Sequence, residues 1–94
     1  MITWEFKPSF DRSVKSLPDK DKVEIKELAK DLIDILQSGE QPSKGLGLTP
    51  LRKNLLEIRA SYKRRILFRW KNNHIEFILA GNHDQIRAFL KENA

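Results

Sequence analysis

The sequence contains no cysteine and only two histidines among its 94 residues. Without cysteine the fold cannot depend on disulfide bonds, and zinc sites built on thiolates are excluded. Long apolar runs are also missing: none approaches the roughly 20 residues that span a bilayer, and the first residues, MITWEFKPSF, contain no signal-peptide core. We therefore expect one soluble domain over residues 1–94, located in the cytoplasm and without a membrane partner.

Acidic residues are scarce in the second half of the chain. Residues 1–43 hold seven Lys and Arg against nine Asp and Glu, whereas residues 44–94 hold eleven against four. The imbalance is largest in LLEIRASYKRRILFRW, residues 55–70, which holds five cations and a single acid, Glu57. Because solubility does not require such clustering, the pattern favours an anionic partner such as a nucleic acid.

Apolar periodicity divides the chain into short strands and helices. Ile2, Trp4 and Phe6 alternate as in a strand with one buried face, and we expect both Trp4 and Trp70 in the core. The order βααβββα predicts an α+β domain in which a helical hairpin packs on a small antiparallel sheet. The predicted elements are a strand at 2–6, helices at about 9–16 and 19–38, a loop at 39–50, strands at 55–60, 64–71 and 74–80, and a final helix after Asn82.

Residues suited to caps and turns stand at the ends of these elements. Gly39 fits a left-handed helix C-cap, and Asn72 with Asn73 fits a tight hairpin turn, because asparagine tolerates positive φ. Asn82 followed three residues later by Gln85 is the capping-box pattern of a helix N-terminus.

Strand alternation predicts a cationic face on the late meander. Successive side chains point to opposite faces of a strand, and burying arginines in the core would cost several kcal/mol each. Arg59, Arg65 and Arg69 should therefore lie together on the face away from the helical hairpin. Leu67 and Ile78 interrupt its polarity, which predicts a basic concavity with an apolar floor. The alternative interpretation is a solvated sheet surface, on which the one acid of the segment pairs with Arg59 or Arg65 for about 0–1 kcal/mol.

The motifs LRKNLLEIR, RRILFRW and IEFILAGNHDQIRAFLK, in this order, resemble the RelE/ParE superfamily of bacterial toxins from toxin–antitoxin systems. The resemblance extends from FDRSVKSL to FLKEN and implies the superfamily's βααβββ(α) fold. Its RelE-like branch implies a ribosome-dependent messenger RNA endonuclease, in which a ribose 2′-hydroxyl attacks the adjacent phosphorus. That reaction needs a base, cations around the phosphorane and an acid at the leaving oxygen. It requires no metal, and the resemblance implies no cofactor.

The resemblance implies three catalytic residues. Arg59 and Arg65 would bind and stabilise the phosphate, and His83, in the GNH turn, would exchange protons near neutral pH. Two positions depart from the RelE-like pattern: Glu57 stands where some members have a lysine that serves as base, and Phe89 stands about where they carry a functional tyrosine. The residues implied to contact RNA or the ribosome are Lys53, Tyr62, Lys63, Arg64, Arg69, Arg87 and Phe89.

Three functions stay open at this point: an mRNA interferase, a ParE-like inhibitor of DNA gyrase without RNA chemistry, and an inactive toxin fold that retains antitoxin binding. A histidine after the last strand favours the first, whereas Glu57 and Phe89 keep the third open; His74 is expected on the surface. The expected partners are the ribosome with its mRNA and a cognate antitoxin in a hetero-oligomer. Acids of the antitoxin would contact the cationic face, and its apolar residues would cover Leu67 and Ile78.

Overall fold

The structure is a computed structural model that describes residues 1–39, 47–60 and 63–93. The predicted α+β class and order of elements are confirmed, with one additional strand ahead of the meander. In the described residues no helix combines the length and the apolar character that a bilayer crossing needs. The elements are β1 (Thr3–Phe6), α1 (Pro8–Lys15), α2 (Asp19–Gln37), β2 (Thr49–Arg52), β3 (Leu55–Arg59), β4 (Arg65–Lys71), β5 (His74–Gly81) and α3 (His83–Glu92).

All five strands form one sheet in the order β1-β5-β4-β3-β2. The sheet is mixed where an antiparallel one was expected, because β1 joins β5 in parallel. The additional strand, β2, includes Thr49 and Pro50, so the predicted loop ends before them; its residues 40–46 lie outside the described part of the chain. Proline is tolerated in β2 because an edge strand need not donate every backbone N–H group.

The helical hairpin packs on one face of the sheet, as predicted. Ile58, Ile66 and Phe68 of the sheet are fully buried against it. Burying a large aliphatic side chain contributes about 1.5–3 kcal/mol, so this first cluster dominates the stability of the fold. α2 contributes an apolar stripe at helical spacing, and every member of this stripe is buried in the cluster: Ile25, Leu28, Ala29, Leu32, Ile33 and Leu36.

α3 covers the opposite face of the sheet, which overturns the expectation of an open apolar floor. Leu67 is 0 % exposed and Ile78 is 9 % exposed, and both belong to a second cluster with Leu55 and Ile86. α3 is amphipathic and must bury its apolar side. That side packs on the apolar sheet surface that we expected a partner to cover. A partner therefore cannot rest its apolar residues on Leu67 and Ile78 while α3 is in place.

β5 carries one extra residue opposite β4. Leu67 pairs with Leu79 and Phe68 pairs with Phe77, which leaves Ile78 without a partner in the register. Such a bulge breaks the period of two, so Ile78 and Leu79 both pack with the second cluster. Simple strand alternation from Ile75 and Phe77 would place Leu79 on the face of the helical hairpin, and the bulge moves it to the opposite face.

β1 lies at the edge of the sheet, and its aromatic side chains are not in the core. Trp4 is 42 % exposed and Phe6 is 44 % exposed, so the prediction that Trp4 belongs to the core is wrong. Ile2 is buried, and Trp70 is half-buried against the first cluster, as expected. In the part of the chain that the structure describes, no strand lies beyond β1 to cover the side chains at this edge, which accounts for the difference.

The turn and cap predictions are confirmed. Asn72 and Asn73 connect β4 to β5 with φ of 52° and 62°, and Gly39 follows α2 with φ of 82°. The capping box at Asn82 and Gln85 is present at the start of α3.

Candidate active site at the start of the last helix

His83 is the first residue of α3 and directly follows the turn after β5. The Asn82 Oδ1 accepts the backbone N–H of Gln85, and the Gln85 Oε1 accepts the backbone N–H of Asn82, both at 2.8 Å. Gly81 leaves room for this arrangement, since a Cβ there would lie 2.6 Å from the Gln85 Oε1. The capping box thus fixes the backbone on which the exposed His83 side chain stands.

Arg65 lies between His83 and a buried carboxylate. Its Nη1 donates to the Glu57 Oε1 at 2.7 Å and lies 3.3 Å from the His83 Nδ1. A guanidinium has only donors, so a hydrogen bond at this contact needs the Nδ1 lone pair of the imidazole as its acceptor. Glu57 is 4 % exposed and is the only buried polar or charged side chain in the described part of the chain. A charge-assisted hydrogen bond of this kind holds the arginine head beside the imidazole.

Glu57 is the residue of the candidate site whose contact the sequence did not reveal. The resemblance marked it only as a departure, and strand alternation left its partner open between Arg59 and Arg65. The structure pairs it with Arg65, at part-buried positions, so it is not an exposed surface ion pair. The available signal was its place as the single acid in the cationic segment.

Arg59 lies directly opposite Arg65 in the β3–β4 register. Its side chain is exposed, and no carboxylate among the described residues lies within ion-pair distance of it. Gly47, with φ of 67°, packs against it so closely that a Cβ there would lie 3.0 Å from the Arg59 Cβ. The geometry leaves one anchored arginine and one arginine with its charge uncompensated on neighbouring strands, which suits an anion such as a phosphate.

Two open hollows meet at His83 and extend the site along α3. Two of the residues predicted to contact RNA, Lys63 and Arg87, border them and so lie next to the catalytic candidates. The first hollow, of about 400 Å³, is lined by Lys63, Arg65, Asn82, His83 and Asp84. The second, of about 660 Å³, lies between α3 and the β2–β3 side of the sheet, and its polar lining is Arg52, Glu57, His83, Arg87 and Lys91.

Arg69, Lys53 and Phe89 do not lie beside His83. They line a third hollow, of about 960 Å³, toward the other end of α3. The cations expected to converge are therefore split in two groups, because α3 covers the sheet between them. Phe89 also packs against the second cluster, so it lines this hollow and lies apart from the candidate catalytic residues around His83. The other charged residues of the lining are Lys7, Arg12, Arg52, Lys71 and Glu76.

Glu76 compensates part of the charge in the third hollow. Its carboxylate lies 2.9 Å from the Lys7 Nζ and 3.3 Å from the Arg69 Nε. The hydrogen bond and charge of Glu76 raise the pKa of Lys7 above its ordinary value. Arg69 is therefore a structural ion-pair partner as well as a cation of the hollow.

The remaining predicted residues lie elsewhere. Arg64 faces the helical hairpin, where it donates to Asp21 of α2 at 2.7 Å and thereby lowers the pKa of that carboxyl. His74 lies beside β1, with its Nδ1 2.7 Å from the Thr3 Oγ1 and its Nε2 3.2 Å from the Glu5 Oε1. Tyr62 lies outside the described residues. Neither Arg64 nor His74 contributes to the site around His83.

Metal ligands do not cluster in the part of the chain that the structure describes: no group of three or more His, Asp or Glu side chains there is suited to an ion.

No protein-family model and no curated protein matches the sequence. The fold, in contrast, is shared with solved toxin structures of the RelE/YafQ superfamily. A chain of the E. coli DinJ–YafQ toxin–antitoxin complex has a TM-score of 0.70 at 13% identity, covering 90% of this chain and 96% of its own. A metal-bound toxin from Helicobacter pylori gives 0.66 at 18% identity, with coverages of 92% and 99%.

A chain of the toxin–antitoxin complex RelBE2 from Mycobacterium tuberculosis gives a TM-score of 0.62 at 18% identity, with coverages of 87% and 98%. At such low identities the likeness establishes the fold. The chain has the RelE/YafQ toxin fold over nearly its whole length, which confirms the fold implied by the sequence motifs.

Proposed function

We propose that this chain is the toxin of a toxin–antitoxin pair and cleaves messenger RNA on the ribosome in the cytoplasm. The central supporting observation is the contact between the anchored Arg65 and His83, with Arg59 opposite on the neighbouring strand. The fold adds support, because chains of this fold occur in solved toxin–antitoxin complexes.

The proposed reaction is attack of a ribose 2′-oxygen on the adjacent phosphorus, with departure of the 5′-oxygen. It yields a 2′,3′-cyclic phosphate and a 5′-hydroxyl, and the proton lost by the attacking oxygen is balanced by one gained by the leaving oxygen. We assign this proton exchange to His83, because imidazole is the side-chain group best suited to general acid–base chemistry among those at this site. Arg59 and Arg65 stabilise the additional negative charge of the phosphorane, an effect for which one well-placed donor is worth about 10²–10³ in rate.

The RNA backbone would continue from His83 along the second hollow. Arg52, Arg87 and Lys91 border this hollow with little opposing charge, apart from the carboxylate that Arg65 already occupies. Cations spaced along a groove bind phosphates without reading sequence, and their contribution decreases as salt increases. This placement makes Arg87 a better candidate for RNA contact than Arg64, which is bonded to α2.

The test is induced expression of the wild type, His83→Ala and Arg65→Ala, followed by primer extension on a reporter mRNA. We expect cleavages in register with the codons for the wild type and a drop of at least about tenfold for either variant. The matched control is His74→Ala, because it removes the only other histidine of the chain, which lies beside β1 and not at the site. Circular dichroism of the purified variants establishes that they fold.

Each alternative predicts a different result. Uncut mRNA together with relaxed or cleaved plasmid DNA would assign the chain to gyrase inhibition. Normal growth with neither effect would assign it to an inactive fold that only binds an antitoxin. Equal loss of cleavage in His74→Ala and His83→Ala would contradict the placement of the catalytic centre at the start of α3.

A further inference from the structure

β5 continues past the end of β1, and α1 lies beside it from that point. The β1–β5 register ends with Phe6 opposite Phe77, whereas β5 extends to Gly81. The Lys7 N–H donates to the Phe77 carbonyl at 2.9 Å, and the chain then enters α1. The end of β5 therefore has β4 on one side and a helix, not a strand, on the other.

Two serines of α1 supply hydrogen bonds that a neighbouring strand would have made. Because most backbone groups of a helix bond within the helix, its side chains must satisfy the strand beside it. The Ser9 Oγ donates to the Ile78 carbonyl at 2.6 Å, and the Ala80 N–H donates to the Ser13 Oγ at 2.9 Å. Ser9 and Ser13 are four residues apart, which places them on the same side of α1.

The Ser13 hydroxyl is held by two partners. It donates to the Phe10 carbonyl at 2.7 Å while it accepts from the Ala80 N–H. The first of these bonds is the ordinary contact of a serine with its own helix. The second reaches a residue 67 positions further along the chain, at a buried place in the sheet. Ser13 thus joins α1 to the end of β5.

Both bonds to β5 lie close to the candidate active site. Ile78 is the residue of the bulge without a partner in the β4–β5 register, and a bulge leaves backbone groups that the paired strand does not bond. Ala80 directly precedes Gly81, which lies opposite Arg65. His83 follows Gly81 by two residues, so the position of the imidazole depends on where the end of β5 lies.

We propose that Ser9 and Ser13 are positioning residues for His83: their hydroxyls fix the end of β5 and thereby hold the imidazole beside Arg65. The inference rests on the proposed function for the catalytic consequence of this position. Without the Ser13 hydroxyl the Ala80 N–H is buried and unpaired, which is unfavourable, so β5 shifts toward another acceptor or water enters. Either change alters the contact of 3.3 Å between the Arg65 Nη1 and the His83 Nδ1.

The capping box of α3 does not fix this position by itself. Asn82 and Gln85 bond to each other, so they determine the shape of the turn but not its place relative to Arg65. In the part of the chain that the structure describes, the side chains that hydrogen-bond to the backbone of residues 78–81 are the two serines of α1.

The kinetic test compares the wild type, Ser13→Ala and Ser9→Ala in ribosome-dependent cleavage of a defined mRNA. A displacement of about 1 Å can cost about 10²-fold in rate, and we expect Ser13→Ala to lower kcat by about tenfold or more. KM should stay within about twofold, because the cations that border the second hollow are unchanged. Ser9→Ala, whose bond lies further from His83, should cause a smaller decrease, and it replaces Ser13→Ala in the test if that variant does not fold.

The matched control is Ser16→Ala. It removes an exposed serine hydroxyl that follows α1 and bonds only locally, to the Ser13 carbonyl at 2.9 Å. This variant makes the same chemical change without touching β5, so its kcat should equal that of the wild type.

NMR distinguishes a displaced imidazole from a loss of folded protein. The chain has two histidines, so the resonances of His74, beside β1, are an internal reference for those of His83. A displaced ring moves the His83 resonances of the folded protein, whereas partial unfolding weakens them without moving them. We expect the His83 resonances to move in Ser13→Ala while those of His74 stay in place, and we expect neither set to move in Ser16→Ala.

The other outcomes contradict one proposal or the other. Wild-type kcat in both Ser13→Ala and Ser9→Ala, or a lower kcat with unmoved His83 resonances, refutes the positioning role and leaves the proposed function intact. An equal effect of Ser16→Ala would assign the change to α1 in general and also refutes it. Absence of cleavage by the wild type refutes the proposed function, and the His83 resonances then still decide whether the serines place the ring.

Discussion

The ion pair between Glu57 and Arg65 allows a stability prediction with a magnitude. Glu57→Gln keeps the shape of the side chain and an oxygen that can accept from Arg65, but it removes the charge. Hydrogen bonds to charged groups contribute about 1.5–3 kcal/mol and neutral ones about 0.5–1.5 kcal/mol. Since the Arg65 side chain is 18% exposed, solvent screens part of the difference, and we expect a loss of about 1 kcal/mol in the free energy of unfolding. For a domain of this size such a loss lowers Tm by about 4–8 °C.

Removing one partner of the Glu57–Arg65 pair should lower the free energy of unfolding more than removing both partners. Glu57→Leu leaves the Arg65 guanidinium without its counterion, and Arg65→Leu leaves a carboxylate buried and unpaired. Breaking a buried pair costs about 3–5 kcal/mol, whereas replacing both members with apolar side chains costs much less. We therefore expect the double variant to be more stable than the sum of the single effects, by a coupling of about 1–3 kcal/mol. Urea unfolding of the four proteins measures this coupling, and additivity to within about 0.5 kcal/mol would refute the role of Glu57 as the anchor of Arg65.

Three smaller predictions follow from single contacts. Asn82→Ala removes the N-cap of α3 and should lower the free energy of unfolding by about 1 kcal/mol in urea. Gly47→Ala places a Cβ 3.0 Å from the Arg59 Cβ at a φ of 67°, so it should lower the free energy of unfolding by about 1–2 kcal/mol. It should also weaken RNA binding by displacing Arg59, and an unchanged affinity for RNA would contradict this. Arg64 holds the pKa of Asp21 below its ordinary 3.8, so this contact stabilises the fold above that pH and ceases to do so as the pH falls below it. Wild type should therefore exceed Asp21→Asn in Tm at pH 7, and the gap should close toward pH 3; a gap independent of pH would contradict the assignment.

Features set by local sequence were predictable, and those set by packing between distant segments were not. The α2 stripe and the Asn72–Asn73 turn depend on residues a few positions apart, so periodicity and turn chemistry identify them. The bulge at Ile78 depends on how β4 and β5 align, which the alternation of one strand does not encode. The parallel addition of β1 joins the two ends of the chain, and the exposure of Trp4 follows from that placement.

The candidate site also has features that local sequence predicts and features that only the packing of distant segments determines. His83 and its capping box follow from adjacent residues, and the pairing of Arg59 with Arg65 follows from two strands joined by a short connection. The separation of Arg69 from these residues could not be predicted from adjacent residues. It depends on α3, which crosses the sheet face that strand alternation assigns to solvent. Amphipathicity of the last segment predicted a helix with an apolar side, but not the face of the sheet on which that side would pack.

The charge arrangement of the site explains why an acid stands at position 57. Arg59 and Arg65 occupy directly opposed positions of an antiparallel pair, where like charges ordinarily destabilise a sheet. Glu57 lies two residues from Arg59 on the same face and binds Arg65, so the anchored arginine is compensated from within the fold. Among the described residues, Arg59 is then the arginine of this pair without a carboxylate at ion-pair distance, and it is the cation that the proposed reaction assigns to the phosphate. A lysine at position 57, which the sequence resemblance implies for some RelE-like members, would place three cations together at part-buried positions. The departure from that pattern is therefore the feature that lets this chain hold two arginines and a histidine at one site.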